Sequence, residues 1–134
     1  MRKALTLLIA LLCASLALAQ NKPLACQGDA AAGLRWENGQ WKVTKFAEKK
    51  FILIMSGDTL TKESVSKAGL SIIPKQIDCK TELWLISCVS AGSHLAFNTQ
   101  NLTGGITQIF GAVQGFDEKN KDTISVEAFT CQPY

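Results

Sequence analysis

The chain reads as all-β: an antiparallel β-sandwich or small β-barrel of about seven or eight strands, with two disulfides and at most one short helix. Three observations predict this. Asn38-Gly39 is a two-residue hairpin turn between apolar-polar alternations, short β-branched and aromatic runs recur between turn residues, and four cysteines (Cys26, Cys79, Cys88 and Cys131) follow an N-terminal leader.

The leader sets the address. Arg2 and Lys3 precede an apolar run over residues 4–16, broken only by Thr6 and Ser15, and Ala17-Leu18-Ala19 offers small residues for cleavage. Residues 1–19 therefore read as a secretory signal peptide cleaved after Ala19, which predicts a periplasmic or secreted protein. The run is about 13 residues, short of the ~20 a membrane-spanning helix needs, so no membrane span is expected. Leu12 ahead of Cys13 suits an ordinary signal peptidase better than a lipid-anchoring one. Cleavage removes two of fourteen basic residues, leaving twelve against eleven acids, a net charge of +1 (12 − 11). The lysines are scattered and no arginine cluster interleaves with aromatics, so nucleic-acid binding is not expected.

Cleavage also removes Cys13 and leaves an even set of cysteines, which an oxidising compartment converts to two disulfides. Three pairings exist. The favoured one joins Cys26 to Cys131, tying the chain ends together, and Cys79 to Cys88, a local ring. A C-x-x-C pair is lacking and the single histidine, His94, is not spaced to complete a zinc set, so neither metal nor cofactor is expected.

The remaining elements follow in order. Residues 20–25 are expected to be a short mobile lead-in to one domain spanning residues 26–134. Asn38-Gly39 favours φ > 0 at both central positions and sets a register with Glu37 opposite Gln40 and Trp36 opposite Trp41. Leu34, Trp36, Trp41 and Val43 then share one face, and Arg35, Glu37, Gln40 and Lys42 the other. The tryptophan pair has two readings, as core or as ligand contact.

Residues 51–55, Phe-Ile-Leu-Ile-Met, lack alternation and predict a central strand covered on both faces, with Lys49 and Lys50 guarding against aggregation. Thr61 can cap a short helix over residues 61–68 that Gly69 ends, its apolar face being Val65 and Ala68. Ile73 before Pro74 is extended. A meander follows, with strands over residues 83–89, 93–98, 106–113 and 123–131. Ala91-Gly92, residues 101–105 and residues 117–122 form the connections. In the last strand Ile124, Val126 and Ala128 share one face, and Ser125 and Glu127 the other.

Reactive constellations are weak. Ser93 and His94 are strand neighbours and point to opposite sides. The nucleophile elbow Gly-x-Ser-x-Gly is absent, and Ser64-Val65-Ser66-Lys67 matches a serine-x-x-lysine spacing without its context. Asp117-Glu118 reads as a solvated turn beside lysines, and Gly104-Gly105 lacks the lysine of a phosphate loop. The Asn101-Leu102-Thr103 sequon matters only in a eukaryotic source.

Gly39-Gln40-Trp41 resembles the glycine-x-tryptophan near the start of lipocalins, although the hairpin turn accounts for this glycine. Ser56-Gly57 is similar to half of the loop motif of small periplasmic lysozyme inhibitors, with Leu60 where that motif has an aromatic. No site is carried over from either family.

The expectation is an exported, non-enzymatic binding module for a protein or glycan of the envelope or extracellular space. Trp36, Trp41 and the loops around Gly92 and Gly104 are its candidate contacts. An inhibitor of a cell-wall hydrolase and a small secreted hydrolase are the alternatives.

Overall fold

A computed structural model describes residues 21–109 and 123–134. The signal peptide expected over residues 1–19, with Cys13, the end of the strand expected over residues 106–113 and the turn expected over residues 117–122 lie outside them. The strands are β1 (Lys22–Glu37), β2 (Gln40–Lys45), β3 (Lys50–Ser56), β4 (Thr59–Leu60), β5 (Asp78–Glu82), β6 (Leu85–Ser90), β7 (Ser93–Asn98), β8 (Thr103–Gln108) and β9 (Thr123–Pro133). They form one antiparallel sheet in the order β4-β3-β1-β9-β8-β7-β6-β5, with β2 also on β1, and it curls into a nearly closed barrel.

The Asn38-Gly39 turn has φ of 53° and 75°, and the register it sets runs from Glu37 opposite Gln40, through Trp36 opposite Trp41, to Lys22 opposite Met55. β2 and β3 are thus one long antiparallel partner of β1, interrupted at residues 46–49. The lead-in expected over residues 20–25 is pulled into this ladder from Lys22 onward. Its backbone finds partners on both sides, in β3 and β9, and Leu24 is buried.

Helix α1 (Lys62–Lys67) forms where Thr61 can cap it: the Thr61 hydroxyl accepts from the Ser64 N–H at 3.4 Å. The buried Ser64 hydroxyl donates to Thr61 O at 2.9 Å and accepts from Ile54 N–H at 3.0 Å, fastening the helix to β3. Val65 and Ala68 face the core as expected, joined by Leu70 and Ile77. Helix α1 packs on β3, and β4 meets β5 directly where the Thr81 hydroxyl donates to Asp58 O at 3.0 Å.

Both disulfides are those favoured by the sequence, Cys26–Cys131 and Cys79–Cys88, and each joins residues directly opposite in a ladder. They flank a core of Leu24, Leu53, Ile86, Leu95, Phe97, Ile106 and Phe129, with Phe129 stacked on Phe97 at 6.2 Å between ring centroids.

Four further expectations need correction. The strand expected over residues 83–89 starts at Leu85, because Leu83-Trp84 is itself a hairpin turn between β5 and β6. Gly104 and Gly105 lie in β8 instead of a loop, since Phe129 packs so close to Gly104 that a Cβ there would sit 2.4 Å from its ring. β3 is not covered on both faces: Leu53 is inside, Ile52 is exposed, and β3 forms a barrel wall with one outer side. The tryptophan pair is half-buried and stands outside the core.

Candidate functional site

The largest departure from the sequence pattern concerns β9, whose alternation is inverted. Glu127 is only 6% exposed and points into the barrel with Phe129 and Cys131, while Val126 is 53% exposed on the outside. A β-bulge explains how β1 fits this neighbour. Gly28 stands opposite Phe129 and Ala30 opposite Ala128, so Asp29 is the extra residue, held by the Thr130 hydroxyl donating to its carboxylate at 2.7 Å. The bulge flips the parity of β1. Before it Leu24, Cys26 and Gly28 are buried, and after it Ala31 is the buried residue.

Inside, Glu127 repairs the interruption between β2 and β3. Its Oε1 accepts from Lys49 N–H at 3.1 Å, and its Oε2 lies 3.9 Å from the half-exposed Lys49 ammonium. Gly28 N–H donates to Lys49 O at 2.8 Å, and a Cβ on Gly28 would meet Glu127 Oε1 at 2.5 Å. The carboxylate therefore substitutes for a missing ladder acceptor. Glu127→Gln, which keeps an acceptor there, is expected within about 1 kcal/mol of wild type by urea unfolding. Glu127→Leu, which strands the Lys49 N–H, costs about 1–3 kcal/mol.

Outside, the inverted strand joins β1 and β2 in an apolar wall. Leu34 stands between Val43 of β2 and Ile124 of β9, Ala32 lies between Lys45 and Val126, and Ala30 faces Ala128. Val43 is 88% exposed, and Ile109, just beyond β8, is half-exposed. Lys45 is the one charged side chain on these outer positions. Trp36 and Trp41 end the wall edge-to-face, with centroids 5.4 Å apart and planes at 69°. Behind them Arg35 lies over the Phe46 ring at 5.5 Å and Glu37 pairs with Arg35 and Lys42.

The other sequence-derived positions are dispersed. Gly92 sits in the β6–β7 turn with φ of 69°, as its role there requires. A trough of about 630 Å³ runs outside β3, β1 and β9 around Ala25, walled by Ile52, Lys50, Gln132 and Thr130. Trp36, Trp41, Gly92 and Gly104 are all absent from its lining.

His94 does find a serine, but it is Ser87 across the β6–β7 ladder, with Oγ and Nε2 2.8 Å apart. Ser93, its sequence neighbour, is set aside as pointing to the opposite side, and only the register of β6 against β7 reveals Ser87. Both strands pair on either side, so their amides are engaged in ladders where an oxyanion would need free donors. The register neighbours of His94 are Val89 and Thr107, neither of them an acid to orient the ring. Among the described residues, no three His, Cys, Asp or Glu side chains gather into a metal-binding group, and no helix is long and apolar enough to cross a membrane.

No protein-family model matches the chain, and no curated protein or solved structure does so either.

Proposed function

We propose that the chain is an exported, disulfide-bonded binding module that engages a protein partner through the outer wall of β2, β1 and β9, with Trp36 and Trp41 at its edge. The signal-type N-terminus and the two disulfides support export. The observation that carries the binding role is the orientation of β9: a buried carboxylate occupies the inside while valine, isoleucine and alanine face outward. Burying a carboxylate is costly, and leaving aliphatic side chains in water forgoes about 25 cal/mol per Å² of apolar surface. A contiguous apolar patch of this kind marks an interaction surface.

Val126→Asp tests the reading. The substitution puts a charge at the centre of the wall without touching the core, so the variant should fold with an unchanged melting temperature. Wild-type protein immobilised over an envelope extract of its source retains a partner, and the purified partner should bind Val126→Asp at least ~30-fold more weakly. Equal affinity for the two forms would remove the wall as the binding surface.

A further inference from the structure

At the barrel end opposite the tryptophan hairpin, β5 and β6 meet in the two-residue turn Leu83-Trp84. Leu83 is 95% exposed and Trp84 44% exposed. Leu83 also has a φ of 55°, while Trp84 does not share a positive φ, the pattern of a turn whose first central residue is normally glycine.

Two other non-glycine residues among those described have positive φ, and each has a local reason. Asn38 is a residue type that tolerates the conformation, and Leu102 packs against the core. Leu83 has neither. A leucine here costs backbone energy and exposes apolar surface, so folding alone does not account for it.

The turn is also held rigidly. The Cys79–Cys88 disulfide staples its strands, and Trp84 O accepts from Thr99 N–H at 2.9 Å and from the Thr99 hydroxyl at 3.0 Å. Strain kept in a rigid, exposed loop is characteristic of recognition sites, and a preorganised leucine-tryptophan pair loses little entropy on docking.

We infer that the Leu83-Trp84 tip is a recognition wedge that inserts into an apolar pocket on a partner protein, at a site separate from the outer wall. A convex two-residue tip calls for a concave partner. Glu82 precedes the turn and Asp58 is tied beside β5 through Thr81, whereas the nearest cation along β5 is Lys80, further back on the strand. The pocket's rim is accordingly cationic, and an anionic lipid surface is disfavoured. The inference does not rest on the wall: Val126→Asp leaves this tip intact.

Leu83→Gly in the full oxidised chain is the first test. It relieves the backbone, so the melting temperature should rise by about 3–6 °C. A fall would make Leu83 a structural residue and overturn the inference. Leu83→p-benzoylphenylalanine, irradiated in cells of the source, should give one discrete protein adduct. That partner, purified, should bind Leu83→Gly and Trp84→Ala at least ~30-fold more weakly than wild type. Failure to form an adduct, or equal affinities, would overturn the inference. Vesicles of phosphatidylethanolamine and phosphatidylglycerol should leave tryptophan emission unshifted. A blue shift that Trp84→Ala abolishes would replace the protein pocket with a membrane.

Discussion

Gly33→Ala is expected to destabilise the barrel by at least about 3 kcal/mol, read as a shift of the urea midpoint. A Cβ at Gly33 would lie 1.9 Å from Ile124 O and 2.8 Å from Ser125 Cα, both backbone atoms of β9. A flexible side chain could swing away, but a paired backbone cannot move without breaking the β1–β9 ladder that closes this part of the barrel. The coiling that brings the two strands so close is what bends the sheet, and glycine is the residue that allows it. Gly105→Ala is the control. Its Cβ would meet Glu127 O at 3.4 Å, an ordinary contact, and the cost should stay within about 1 kcal/mol.

Removing the Cys26–Cys131 bridge by a double alanine substitution should cost more still, about 4–5 kcal/mol, because it closes a loop with a sequence separation of 105. The same change at Cys79 and Cys88, with a separation of 9, should cost about 2–3 kcal/mol. Net stabilities of small domains are about 5–15 kcal/mol, so both losses are large shares of the total and the first is the larger. Thermal melts of the two double variants check the order. If the short ring matters more, loop-closure entropy is not the main contribution of the long one.

Local chemistry was legible in the sequence. Asn38-Gly39 specified its own turn and register, Thr61 specified a cap, and the even cysteine set led to the pairing found. The first two rest on residues close together, and the third on the even number of cysteines after residue 19. The misread features depend on contacts across the barrel. Leu83-Trp84 carries no turn residue, and its bend follows from the register of β5 on β6, which Cys79 and Cys88 clamp.

The alternation of residues 124–128 was visible, but alternation does not say which side is inside. That was decided by Phe129 and Cys131 packing into the core and by the bulge at Asp29, which lets β1 follow them. The alternation grouped Glu127 with Ser125 on one face, and nothing local in sequence shows that its carboxylate fills a break between strands at Lys49. Of the candidate contacts, Trp36 and Trp41 do end the apolar wall, Gly92 stands in its turn elsewhere, and Gly104 is packing space for a ring. The serine beside His94 was out of reach until strand register was known.

The thermal melt of Val126→Asp reads directly whether β9 turns its apolar side outward. A melting temperature within about 2 °C of wild type is the predicted result, as expected for a charge placed at an exposed site. A drop of more than about 10 °C, or failure to fold, would put Val126 in the core and leave β9 with no outward apolar face.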